Sequence, residues 1–275
     1  MKINSKAVCF FLIAIFSAGC TTARTNGNNT FNSTLWLQTA SEYKANAIQA
    51  YNSAAHNINK AIADQSWTSA LEQGSSGSSL PPAIILDVDE TVLDNSQYQA
   101  QLVLDNAAFD PESWDRWIAR KSAPSVPGAV DFINSVSAMG VEVVFITNRE
   151  CIPRSKGGPP CPQETDTINN LHNVGIKEVK PENILLKKEK PAWSSEKKSR
   201  REEVASRYRI LMLFGDDLGD FLPDVKKNIT PMQRDRLVGE YKDNWGVKWF
   251  VFSNPIYGSW MGILSDPKSS HLKGY

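Results

Sequence analysis

The chain has 275 residues, enough for one sizeable domain with additions. Its 30 Lys and Arg balance 30 Asp and Glu, so no overall field draws in nucleic acid or an anionic membrane. Apolar residues make up 41%, the level of an ordinary folded protein.

The N-terminus comes first in chain order. Lys2 and Lys6 precede an uncharged apolar stretch, residues 7–16, too short to span a bilayer but long enough for a secretory signal. Ser17, Ala18 and Gly19 then lead to Cys20, a pattern that resembles the bacterial lipoprotein signal. The expectation is a signal peptide over residues 1–19 and lipid on Cys20. Ordinary secretory cleavage, giving a soluble periplasmic or secreted protein, is the alternative. With Cys9 removed by processing and Cys20 lipidated, Cys151 and Cys161 remain in a Pro/Gly-rich loop. In an oxidising compartment a disulfide between them is expected. By the chain-entropy account it stabilises by at most about 3 kcal/mol.

Residues 20–35 are polar at their start and read as a flexible tether. Trp36, Tyr43, Ala47, Tyr51, Ala54, Ile58 and Ile62 then recur at helical spacing, predicting one amphipathic helix packed on the main domain. A Gly/Ser run at 74–79 reads as a flexible linker, so residues 36–79 form a helical segment with its linker. From residue 80 to 275, short apolar runs at 83–88, 141–147, 183–187, 210–214 and 249–253 alternate with helical patterns at 111–121, 127–139, 163–174 and 195–208. That alternation predicts an α/β fold, a doubly wound parallel sheet covered on both faces, with a small helical addition.

In such a sheet, ligands bind beyond the carboxyl ends of the strands. The first run discharges Asp87 and Asp89 there, the second Thr147, Asn148 and Arg149, and the fourth Asp216, Asp217 and Asp220. Carboxylates converging on one edge suit Mg²⁺, which takes oxygen ligands. A cation so held lets an aspartate attack phosphorus without charge repulsion. Asp87 is then the nucleophile and Asp89, two residues on, the acid/base. Thr147 and Asn148 offer neutral donors to phosphate. The basic stretch before the fourth run supplies a phosphate lysine, with Lys197 best placed and Lys198 the alternative. The rest of that stretch, Arg200 and Arg201 included, reads mostly as solvated surface.

Together, Asp87–Asp94, Ile146–Arg149, Lys197 with Arg200 and Arg201, and Gly215–Phe221 resemble the four motifs of the haloacid dehalogenase superfamily. The form is similar to the class C nonspecific acid phosphatases, bacterial outer-membrane lipoprotein 5′-nucleotidases. The resemblance covers nearly the whole chain after Cys20. It implies that Asp87, the Asp89 carbonyl and Asp216 ligate Mg²⁺, that Asp220 supports the metal's waters, and that Thr147, Asn148 and the lysine hold phosphate. It also implies that Trp114 and Tyr257 sandwich a nucleoside base; the plainer reading of both is packing, and Trp117 reads as core. The function expected is an extracytoplasmic, Mg²⁺-dependent phosphomonoesterase acting through an aspartyl-phosphate on substrates that include nucleoside 5′-monophosphates. Phosphoryl transfer to another acceptor from the same site, or an inactive envelope binding lipoprotein, are the alternatives. The partners implied are small phosphate esters and a membrane reached through the lipid, not nucleic acid; a homodimer stays open.

Overall fold

Five parallel strands form the centre of the computed structural model, which describes residues 30–275. The strands are β1 (Pro82–Leu86), β2 (Glu142–Glu150), β3 (Ile184–Lys187), β4 (Arg209–Gly215) and β5 (Trp249–Val251), ordered β3-β2-β1-β4-β5. The helices are α1 (Phe31–Thr39), α2 (Ser41–Ala63), α3 (Ser96–Leu104), α4 (Pro111–Arg120), α5 (Ala129–Ala138), α6 (Pro162–Asn173), α7 (Lys198–Arg207), α8 (Pro231–Glu240) and α9 (Ser259–Gly262). The α/β reading therefore holds. The signal segment 1–19, Cys20 and the start of the tether lie outside the described residues. No helix among the described residues is long and apolar enough to cross a membrane.

The central strand shows why the sheet is buried on both sides. β1 sends Ile84 and Leu86 into one apolar cluster and Ala83 and Ile85 into another. A strand with no polar face is stable only between two layers, and burying each large aliphatic side chain contributes roughly 1.5–3 kcal/mol. Chain order reverses at β1, with β2 on one side and β4 on the other, so a crevice opens at the carboxyl ends of β1 and β4. Asp87 and Asp216 stand at those two ends.

The N-terminal region departs from its sequence reading in two places. The helix begins at Phe31, inside the stretch read as tether, and it breaks at Ala40, whose backbone is extended (φ −73°, ψ 124°). Past the break, α2 buries Tyr43, Ala47, Tyr51, Ala54, Ile58 and Ala61 as a single stripe. Tyr51 stacks on Phe214 of β4 at 5.8 Å and donates its hydroxyl hydrogen to the Thr91 carbonyl at 2.7 Å. The helix thus braces the loop after β1. Residues 74–79, read as a flexible linker, contain a 3₁₀ helix, Ser75–Ser79. The residues just before it are tied down: the Gln73 amide donates to the Ala205 carbonyl at 2.9 Å and its oxygen accepts from the Ile210 amide at 2.8 Å.

Candidate active site

The β1 end fixes the first aspartate by main-chain bonding. The Asp87 amide donates to the Phe214 carbonyl of β4 at 2.9 Å, which continues the sheet one residue past the strand. The chain then turns sharply: Val92 and Leu93 amides both return to the Val88 carbonyl, and Glu90 takes a positive φ of 58°. Asp87 and Asp89 are consequently held on one side of a rigid turn.

At the end of β4, the acidic loop divides its three aspartates. Asp217 is the structural one: it caps a short turn by accepting from Gly219, and it accepts from the amide and hydroxyl of Ser259 at 2.6 and 2.8 Å. Asp216 and Asp220 turn instead towards Asp87, and oxygens of these three carboxylates lie within 4.8 Å of one another. Gly215 makes this possible. A Cβ there would sit 2.1 Å from Asp220 Oδ2, so only glycine lets the Asp220 carboxylate lie against the strand end.

Lys197, the residue capping α7, is buried with its ammonium 2.7 Å from both Asp87 Oδ1 and Asp220 Oδ1. Its neighbour Lys198 points to solvent beside Glu202. Between the two lysines left open by the sequence, Lys197 occupies the site. The Asp87 carboxyl is raised to about 6: burial pushes it up most, Lys197 opposes this, and Asp220 and Asp89 add to the rise. Asp216 is raised well above the usual range by burial, then by Asp87, Asp220 and Glu90. Its carboxylate accepts from the neutral Asn254 amide at 2.7 Å. Three clustered carboxylates with one lysine leave an excess of buried negative charge, and an all-oxygen donor set of this kind fits a hard divalent cation.

β2 supplies the third part through a bulge. Between the pairs Thr147–Leu186 and Glu150–Lys187, β2 advances three residues while β3 advances one. The extra residues are Asn148 and Arg149, and a bulge redirects side chains in this way. Asn148 faces the cavity, whereas Thr147 is fully buried with its hydroxyl 3.3 Å from Asp89 Oδ2. Arg149, quoted in the sequence without a role, grips Asp89: Nε reaches both oxygens at 3.1 and 3.2 Å and Nη2 reaches Oδ1 at 2.8 Å. Asn95 adds a bond to Asp89 Oδ1 at 3.0 Å.

The reading of Arg200 and Arg201 as surface is corrected. Both are fully buried. Arg200 donates to the Thr147 carbonyl and to Asn148 Oδ1, the latter at 2.8 Å, bracing the β2 bulge from behind. Arg201 pairs with Glu72 at 2.7 Å and donates to the carbonyls of Gly219 and Asp220 at 3.1 and 3.0 Å.

A cavity of about 660 Å³ opens above these groups, lined by Asp87, Asp89, Asn148 and Asp216 at one end and by Trp114 and Tyr257 further out. Trp114 packs edge-on against Tyr98 at 5.1 Å, while Trp117 is buried with its indole bonded to Asn95 Oδ1 at 2.8 Å. The Tyr257 hydroxyl donates to Glu90 Oε2, so this wall is fastened to the turn that carries Asp87 and Asp89. Leu37 and Tyr43 pack behind Tyr257. Cys151 and Cys161 are joined as a disulfide with Cα atoms 4.6 Å apart, closing a loop between the end of β2 and the start of α6.

A profile of the HAD superfamily, subfamily IIIB (acid phosphatase), matches residues 17–260. The class C acid phosphatase from Bacillus anthracis with tungstate bound is similar in structure, with a TM-score of 0.76 and 32% identity over 91% of this chain and 99% of that one. Another structure of the same enzyme gives 0.75 at the same identity and coverage. Acid phosphatase 1 of Solanum lycopersicum is 27% identical over 142 residues, 50% of this chain and 51% of its own length. The chain spans about half the length of that curated relative.

Proposed function

The chain belongs to subfamily IIIB of the haloacid dehalogenase superfamily, the acid phosphatases, and from that premise we propose that it hydrolyses phosphate monoesters, nucleoside 5′-monophosphates among them. The observation that carries this reading is the meeting of Asp87, Asp216 and Asp220 within 4.8 Å, with Lys197 2.7 Å from Asp87, at the end of a substrate-sized cavity.

Asp87 is the nucleophile. One of its oxygens bonds to phosphorus as the ester P–O bond breaks, giving an aspartyl-phosphate. Asp89 protonates the departing oxygen and then takes a proton from the water that opens the aspartyl-phosphate. Arg149 and Asn95 fix the plane of the Asp89 carboxyl for both transfers. Lys197 and Asn148 neutralise and hold the phosphoryl oxygens, with Thr147 beneath them. Asp87, the Asp89 carbonyl and Asp216 would hold Mg²⁺, with Asp220 on its waters. When bound, the ion offsets repulsion between the Asp87 carboxylate and the phosphate.

Nucleotides are proposed because Trp114 and Tyr257 line the same cavity as the nucleophile, where a base can stack between them. Location outside the cytoplasm, on a lipid at Cys20, is proposed from the N-terminal sequence alone; Cys20→Ser should move the protein from the membrane to the soluble fraction.

A panel of phosphate esters assayed with and without Mg²⁺ tests the chemistry. Asp87→Asn should lower kcat by about 10³-fold or more on every substrate. Equal rates in variant and wild type would sink the nucleophile assignment.

A further inference from the structure

The loop closed by Cys151 and Cys161 contributes nothing to the acidic cluster, yet it carries the arginine that ties together the helices beside the cavity. Arg154 Nε and Nη2 donate to Asp115 Oδ2 and Oδ1 of α4 at 2.7 and 2.9 Å, and Nη1 donates to Asp166 Oδ2 of α6 at 2.5 Å. Gln163 of α6 completes the junction. Its amide donates to Asp115 Oδ1 at 2.9 Å, and its oxygen accepts from the Ile152 amide at 3.2 Å. One guanidinium thus joins the loop, α4 and α6 through two carboxylates. A bidentate arginine within a network is the form of surface pair that holds geometry measurably.

The position of this junction gives it meaning. Asp115 immediately follows Trp114, whose ring is half-buried and supported on one side by Tyr98 and Phe109. The start of α4 is set by the Asp110 cap on Ser113 at 2.7 Å and by the Tyr98–Ser113 hydroxyl pair at 2.9 Å. Past Trp114, the junction with Arg154 is the contact that reaches α4 from the loop side. The disulfide ties together the two ends of the loop that carries Arg154, with Cα atoms 4.6 Å apart.

We infer that Arg154 is a positioning residue for substrate selectivity: through Asp115 it sets where α4 presents Trp114, and so favours leaving groups with a broad planar face over small alkyl ones. The inference rests on the base-stacking reading above.

The test compares wild type, Arg154→Ala, Arg154→Lys, Trp114→Ala and the double variant Cys151→Ser/Cys161→Ser. Each is assayed on a purine nucleoside 5′-monophosphate and on glycerol phosphate, and hydrogen–deuterium exchange is followed in residues 111–121. Trp114→Ala should raise the KM for the nucleotide relative to the alkyl ester by about tenfold or more. Arg154→Ala should raise the same ratio by about three- to tenfold, with kcat on the alkyl ester within about twofold of wild type and faster exchange in residues 111–121. Arg154→Lys, which keeps the charge but not the fork, and the cysteine double variant should fall between. If Trp114→Ala shifts the ratio and Arg154→Ala does not, the inference is overturned while base stacking stands. If Trp114→Ala treats both substrates alike, base stacking fails and the selectivity role of Arg154 fails with it. A parallel loss on both substrates in both Arg154 variants would also overturn it, as a general structural defect.

Discussion

The floor of the cavity and its outer wall are built to different standards. At the floor, Asp87, Asp216 and Asp220 stand at or just past strand ends, and the basic residues around them are buried: Lys197 paired with Asp87 and Asp220, Arg200 behind Asn148, and Arg201 on the Asp220 carbonyl. At the wall, Trp114 and Tyr257 are half-buried; Trp114 rests against Tyr98 and Phe109, with the Arg154 junction one residue on, and Tyr257 is bonded to Glu90 with Leu37 and Tyr43 packed behind it. Phosphoryl transfer tolerates little displacement of nucleophile from phosphorus, so a rigid sheet edge suits the floor. Leaving-group recognition tolerates more, and helices and loops suffice. Under the proposed function, chemistry and selectivity sit on separate supports, and damage to one should be separable from damage to the other.

That separation can be broken first at the floor. Removing divalent cations by chelation, or replacing Asp216 with Ala, should lower kcat by on the order of 10²-fold or more on every ester alike, with Mg²⁺ restoring the chelated enzyme but not the variant. A loss confined to nucleotides would contradict the division. Next comes the support of the floor. Glu72→Ala leaves the Arg201 guanidinium buried without its carboxylate, and should destabilise the fold by about 3–5 kcal/mol in denaturant melts. A change below about 1 kcal/mol would show that Arg201 is satisfied by the Gly219 and Asp220 carbonyls alone.

The smallest effect belongs to the wall. Burial pushes Asp115 up, but hydrogen bonds from Arg154 and Gln163 outweigh it and hold its carboxyl below the ordinary range. A carboxyl depressed in the folded state contributes stability above its unfolded pKa, and that contribution is lost as pH falls through the folded value. Wild type should therefore lose a small increment of stability in acid, below about pH 4, that Asp115→Asn lacks. Superimposable acid-unfolding curves would remove the junction's charge from the account.

The floor was also the more legible region. Continuous apolar runs ending in Asp87, Thr147 and Asp216 announce buried parallel strands with polar tips, because sheet burial and strand-end chemistry both leave local marks. Arg149 stood in plain view beside Asn148, but the β2 bulge and the Asp89 carboxylate that give it its place come from the tertiary structure and leave no local mark. Arg200 and Arg201 were misread because their burial depends on distant partners: Glu72 lies 129 positions before Arg201. A basic run at helical spacing carries no mark of such pairing. The break at Ala40 was not read either, since alanine is the best helix former; on either side of it the two helices go to different neighbours, α1 against α3 and α2 against α5 and the sheet. The Arg154 junction was hidden for the same reason, as its carboxylates come from two other helices.

Gly215 has one further implication. It bears no functional group and touches no substrate, yet any side chain there must take the space of the Asp220 carboxylate. In a saturation-mutagenesis scan, position 215 should therefore score like an acidic active-site residue, intolerant even of alanine. Intolerance at such a site reports an absence that the chemistry requires, and a search restricted to reactive side chains would pass over it.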